Sequence, residues 1–191
     1  MIKSALRKIY QEKRQRLNPE EYQQMNTRLC ENFFRHVGLS GVSLIHTFLP
    51  VTRNKEPDTW NIIQGIWRDS PHIRIAVPRI SGDGQKLDSV VMEKDMDIRP
   101  NSWGIPEPVE GLVIDPQEID VVLVPLLVFD RTGNRVGYGK GFYDKFLPRC
   151  KPNCRRIGVS LFEPVDIIAD INTYDQRLTG AITPDHWYIF N

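Results

Sequence analysis

The stretch Arg131-Thr132-Gly133-Asn134-Arg135-Val136-Gly137-Tyr138-Gly139-Lys140-Gly141-Phe142-Tyr143-Asp144 concentrates several chemical possibilities in fourteen residues. It holds four glycines, two cations suited to phosphate (Arg135 and Lys140) and a carboxylate suited to a metal. Glycines can take φ > 0 and turn backbone N–H groups toward an anion with no Cβ in the way. Lys140 adds a mobile point charge, and Arg135 adds a planar fork for phosphate oxygens. The stretch follows the apolar run 121–129, which reads as a buried strand. A glycine-rich turn between such a strand and a helix is a usual place for phosphate in α/β proteins.

Neither standard phosphate fingerprint fits. A dinucleotide motif needs Gly three positions after Gly139, where Phe142 stands. A Walker A loop needs Ser or Thr after Lys140, where Gly141 stands, and Gly at Asn134. On these residues alone, an unusual phosphate cradle and a glycine-rich connection with solvated charges both remain open.

Other candidates are scattered along the chain. Lys3 and Arg7 are four apart, so a helix places them on one face, as a binding pair or a solvated one. Glu56 precedes the helix-opening Pro57, where an acid commonly complements the helix dipole. Trp103 lies in the proline-rich segment 100–111 and can cover the core or stack on a flat heterocycle. Tyr138, Phe142 and Tyr143 offer the same choice. Asp144 and Asp175 are each ordinary as a helix cap or surface acid, yet Mg²⁺ typically uses only one or two carboxylates. The histidines His36, His46, His72 and His186 form no evident triad. Cys150 and Cys154 lack a second Cys or His pair to complete a zinc site.

The run Val124-Pro125, Phe129-Asp130, Gly133-Asn134-Arg135 and Gly137-Tyr138-Gly139-Lys140-Gly141-Phe142-Tyr143-Asp144 closely resembles the signature of 5-formyltetrahydrofolate cyclo-ligases. These enzymes are also called methenyltetrahydrofolate synthetases. Weaker matches recur from Lys3 to Thr183. The resemblance implies ATP-dependent conversion of 5-formyltetrahydrofolate to 5,10-methenyltetrahydrofolate, with ADP and phosphate released. It implies that Lys3, Arg7, Arg135, Gly137, Tyr138, Gly139, Lys140, Gly141, Phe142 and Tyr143 contact ATP. The reduced folate would meet Leu49, Glu56 and Trp103, with Tyr138, Gly139, Lys140, Gly141 and Phe142 shared between the two ligands. Asp144 and Asp175 would hold Mg²⁺, and Lys140 and Arg135 would assist phosphoryl transfer. One departure is Leu126, which stands where the family pattern has a small residue. Two other functions suit a phosphate loop: a binding or regulatory module without turnover, and a sugar-phosphate isomerase. No convincing acid/base pair beside the loop supports the isomerase.

These groups need a scaffold. A chain of 191 residues suits one domain, 1–191, with a substantial core. A net charge of +1 argues against a broad nucleic-acid surface. No apolar run approaches the roughly 20 residues that span a bilayer. Three cysteines mark no disulfide framework. The basic start of the chain is poor in Ser and has the spacing of an ordinary helix rather than a transit peptide. A cytoplasmic monomer is the expectation.

Helices are expected over residues 3–16, 19–36 (with Asn18 as N-cap), 57–69 and 141–149. Strands are expected over 42–48, 73–77, 121–129 and 156–161, with a short one at 181–184. Alternating strands and helices predict a three-layer α/β/α sandwich with a largely parallel sheet. Ligands in such sheets lie beyond the carboxyl ends of the strands. That places the glycine loop, the loop after Phe48 and the segment near Asp175 on one edge.

Overall fold

The computed structural model describes residues 1–190. Two helices open the chain, α1 (Lys3–Arg16) and α2 (Pro19–His36). The break between them is chemical. Asn18 Oδ1 accepts from the Glu21 N–H at 2.9 Å, and Glu21 Oε2 accepts from the Asn18 N–H at 3.0 Å. Pro19 sits at the first turn, so this capping box starts a new helix instead of extending the old one.

The remaining elements are β1 (Leu44–His46), α3 (Trp60–Asp69), β2 (Arg74–Ile80), β3 (Leu87–Val91), β4 (Ile98–Pro100), β5 (Pro106–Pro108), β6 (Val113–Ile114), β7 (Val121–Pro125), β8 (Val128–Phe129), β9 (Arg135–Val136), α4 (Phe142–Phe146), β10 (Arg155–Val159), β11 (Gly180–Ile182) and β12 (Trp187–Ile189). Eight strands form the main sheet in the order β12-β11-β10-β7-β1-β2-β3-β6. The five from β11 to β2 run parallel. Antiparallel pairings flank them: β12 on β11 at one edge, and β3 on β2 followed by β6 on β3 at the other. No helix among the described residues is long and apolar enough to cross a membrane.

Strand alternation builds the layers. Ile45, Leu123, Ile157 and Val159 face α2 and α3, meeting Leu29, Phe33, Ile62, Ile63 and Ile66. Leu44, Val122 and Val124 face the other way, toward Phe146, Leu147, Cys150 and Cys154. Helix α1 packs elsewhere: Leu6 and Tyr10 lie against Leu127, Val128, Val136 and Ile168, on the β8–β9 hairpin. Burying a side chain such as Leu6 is worth about 1.5–3 kcal/mol. An exposed pair such as Arg16–Glu12 is worth about 0–1 kcal/mol, so the apolar face docks this helix.

Three local expectations change. The run 121–129 is two strands, not one. Pro125 cannot donate to a ladder, and the chain turns at Leu126 so that β8 pairs with β9. The helix expected over 141–149 keeps only Phe142–Phe146 as α-helix, because Pro148 lacks the N–H that would bond back one turn; a 3₁₀ turn, Leu147–Arg149, follows. The second helical layer is therefore thin. The proline-rich segment 100–111, for which no strand is expected, contains β5, which pairs with β4.

Candidate active site

Phe48, Leu49, Pro78, Ile80 and Pro125, at the carboxyl ends of β1, β2 and β7, line a cleft of about 540 Å³. That is the volume range of small-molecule sites. Lys3 and Arg7 line it from α1, Gly137–Gly141 from the loop, Trp103 and Ile105 from the β4–β5 connection, and Asp144 and Asp175 from beyond. Glu56, Arg135, Phe142 and Tyr143 complete the wall. Every site residue singled out from the sequence borders this one cleft.

The glycine stretch divides into two halves with different duties. Residues 130–134 form a closed turn. The buried Asp130 carboxylate accepts from Thr132 N (3.0 Å) and Oγ1 (2.8 Å), Asn134 N and Nδ2 (each 3.0 Å) and Ile168 N (3.2 Å). Burial pushes this carboxyl up, but the donors outweigh it and hold it below the usual range. A Cβ on Gly133 would come within 2.9 Å of Phe190, so that glycine serves packing.

The half from Gly137 to Gly141 is open. A Cβ on Gly137 or Gly141 would meet nothing within 4 Å, while Gly139 (φ 91°) and Gly141 (φ 69°) hold the left-handed backbone that glycine adopts freely. Arg7 Nε donates to Gly137 O at 2.9 Å, tying α1 to this half of the loop.

Two ion pairs frame the polar end. Lys3 Nζ pairs with Asp175 Oδ2. Arg135 Nη2 donates to Asp144 Oδ1 at 2.7 Å, and its Nη1 donates to Gln176 O. Gln176 N also donates to Asp144 Oδ1, at 3.1 Å, so the two acids belong to one linked patch. The Arg135 fork is thus engaged on Asp144 and Gln176 and nearly buried, rather than open to the cleft. Asp144 Oδ2 and Asp175 Oδ1 have no hydrogen-bond partner among the described residues. The described residues contain no group of three or more His, Cys, Asp or Glu side chains placed for a metal. Two carboxylates on one cleft, each with an oxygen that no described residue bonds, nonetheless fit Mg²⁺, which takes its other ligands from water and phosphate.

Another part of the wall carries a buried carboxylate. Glu56 is buried, and its Oε2 accepts from Val51 N at 2.9 Å. Burial pushes the carboxyl up; the Val51 amide, the Tyr138 hydroxyl, Arg14 and Asn54 counter only part of that. Trp103 is 42% exposed, its ring 5.8 Å from that of Phe142 and 5.7 Å from Lys140 Nζ.

One residue here escaped the sequence reading. Arg14 of α1 is fully buried and donates to the Tyr138 hydroxyl and to Leu126 O. The signal was present: Lys3, Arg7, Tyr10 and Arg14 fall on one helical face. Beneath the floor, His46 packs on Phe146 with Nδ1 2.7 Å from Ser89 Oγ, and burial pushes its pKa down to about 3. Its Nε2 lies 3.4 Å from the Tyr143 hydroxyl, so it supports the wall as a neutral core group.

Residues 1–184 match the sequence model of the 5-formyltetrahydrofolate cyclo-ligase family. The chain belongs to this family. Its relatives include the 5-formyltetrahydrofolate cyclo-ligase of Mus musculus, 31% identical over 159 residues, covering 78% of this chain and 76% of the relative. The Escherichia coli enzyme of the same name is 27% identical over 141 residues, covering 73% and 76%. Among solved structures, the 5,10-methenyltetrahydrofolate synthetase of Aquifex aeolicus superposes with a TM-score of 0.84 at 24% identity, covering 100% of this chain and 94% of that one. The Mycoplasma pneumoniae synthetase gives 0.77 at 22% identity, covering 96% and 99%. These superpositions establish a shared fold.

Leu126, where the resemblance leads one to expect a small residue, has a local fit. Leu126 is fully buried, and its Cδ2 would lie 2.6 Å from a Cβ on Gly158. The missing side chain at Gly158 on β10 is the space that the larger residue fills.

Proposed function

We propose that this chain closes 5-formyltetrahydrofolate to 5,10-methenyltetrahydrofolate at the expense of ATP, releasing ADP and phosphate. The observation that carries the reading is the convergence on one cleft of an open glycine loop, two helix-borne cations and one buried carboxylate beside aromatic side chains. A nucleotide's phosphates suit the first two, and a flat heterocycle with paired N–H donors suits the third.

The chemistry explains the residue types. A formyl oxygen leaves poorly, so it first attacks the γ-phosphorus of ATP and ADP departs. N10 then attacks the formyl carbon, forming the new C–N bond. The C–O bond breaks, phosphate leaves, and N10 loses its proton. Such transfer depends on positioning and charge stabilisation rather than on a protein nucleophile.

In this reading Lys140, exposed at the loop, stabilises charge on the phosphoryl in transit. Lys3 and Arg7 address the nucleotide's phosphates from α1, and the amides of Gly137–Gly141 line the path. Asp144 and Asp175 would hold Mg²⁺, which would supply neutralising charge to phosphate oxygens. Arg135 keeps Asp144 in place. Glu56 accepts the N–H donors of the pterin, and Leu49, Trp103 and Phe142 cover its faces. The working unit in this reading is a monomer.

Absorbance of the methenyl product, followed with ATP, Mg²⁺ and 5-formyltetrahydrofolate, tests this reading. ATP-dependent product formation is expected. ATP binding without product would leave a binding module instead.

A further inference from the structure

Arg14 is a buried cation that the reaction as proposed leaves without a task. It lies beneath the cleft, with 1% of its surface exposed. Its Nη2 donates to Leu126 O and its Nη1 to the Tyr138 hydroxyl, while its Nε is the sole fully buried side-chain polar atom without a partner among the described residues. A scaffold role alone does not explain it. A buried charge with an unsatisfied donor is costly, and an apolar side chain of similar volume often serves stability as well or better.

Hydrogen-bond logic supplies the task. A guanidinium only donates, so the Tyr138 oxygen must accept from Arg14, and the hydroxyl proton is left to point elsewhere. The Glu56 carboxylate borders the same cleft as Tyr138, and the Tyr138 hydroxyl and the Arg14 charge both draw its carboxyl down against the rise that burial causes. The other Glu56 contacts leave it room for a ligand: Val51 N binds Oε2, and the Tyr22 hydroxyl takes only the main-chain carbonyl.

We infer that Arg14 is a positioning residue: it orients the Tyr138 hydroxyl onto Glu56 and so sets the carboxylate that receives the reduced folate. The inference rests on the proposed function for the ligand's identity. It adds a directional chain from α1 through the glycine loop to Glu56. Arg14 itself touches no substrate.

A double-mutant cycle on equilibrium binding tests it, with Arg14→Met, Tyr138→Phe and the pair, each titrated with 5-formyltetrahydrofolate and separately with ATP. Each single change is expected to raise the folate Kd on the order of ten-fold, the weight of a hydrogen bond to a charged group. The pair should be no worse than the weaker single variant, since both remove one chain. ATP binding should change far less. Unchanged folate affinity in folded single variants would overturn the inference. So would equal losses for ATP and folate, or fully additive losses. If Arg14→Met does not fold, Arg14→Lys, which keeps the buried charge but loses the fork that bonds Tyr138 and Leu126 together, takes its place in the cycle. Wild-type protein that binds folate without turning it over would sink the proposed function but leave this test readable. Wild-type protein that binds no reduced folate would sink both.

Discussion

Arg135 and Asp144 hold one another at the root of the glycine loop, nine residues apart in sequence and joined at 2.7 Å between Nη2 and Oδ1. The arginine side chain is 6% exposed and the aspartate 30%, so the pair is shielded on one side and open to the cleft on the other. It locks the β8–β9 hairpin to α4, and it leaves Asp144 Oδ2 free.

Asp144→Asn should therefore do two things at once. It leaves Arg135 without its counter-charge, costing about 1–3 kcal/mol in a denaturant melt. It should also raise the Mg²⁺ concentration needed for half-maximal turnover. An unchanged Mg²⁺ titration would take the metal away from this carboxylate.

Lys140→Ala is expected to lower turnover by about 10²–10³-fold, the scale of one lost transition-state charge contact. The fold should survive, because Lys140 is exposed and its ammonium lies over the face of the half-exposed Trp103. Circular dichroism and kcat measured on the same preparation check both halves. Near-normal turnover would remove Lys140 from the chemistry.

His46 predicts an acid sensitivity. Burial lowers its pKa from 6.5 to about 3, so the unfolded chain takes up a proton at this site between those values while the folded chain does not. Stability is unaffected by this group above pH 6.5 and falls as pH drops toward 3, by up to about 1.4 kcal/mol per pH unit. His46→Leu should flatten that dependence by one proton, read as the slope of unfolding free energy between pH 6 and 4.5. An identical slope in the variant would mean that the group titrates in the folded state as well.

Gly158→Ala probes the fit at Leu126. The added methyl would lie 2.6 Å from Leu126 Cδ2 and 2.7 Å from Leu178 Cδ1, an overpacking expected to cost about 1–3 kcal/mol. Adding Leu126→Ala should make the combined loss smaller than the sum of the two single losses, as neighbours sharing one space do. Additive melting data would show that the two positions are independent.

Much of the site was legible because its signals are local. Strand followed by glycines placed the loop at the carboxyl edge, and the Asn18-Pro19-Glu20-Glu21 start separated α1 from α2. The break after Pro125 was legible in principle, since proline cannot donate, but the unbroken apolar run 121–129 hid it. The division of the glycine stretch was less accessible. Gly133 and Gly139 look alike in sequence, and only the approach of Phe190 to one and Arg7 to the other separates packing from opening.

By itself the sequence determined which elements form, which faces they bury and which chemical groups are available, because hydrogen-bonding capacity, φ restriction and apolar period act over a few residues. Tertiary structure alone decided which groups meet. Arg14 and Tyr138 are 124 residues apart, Lys3 and Asp175 172. Their pairing follows from where α1 docks, and α1 docks where Leu6 and Tyr10 find the β8–β9 hairpin. Burial of an apolar face is non-directional and acts across the whole chain, so it selects partners that no local pattern names.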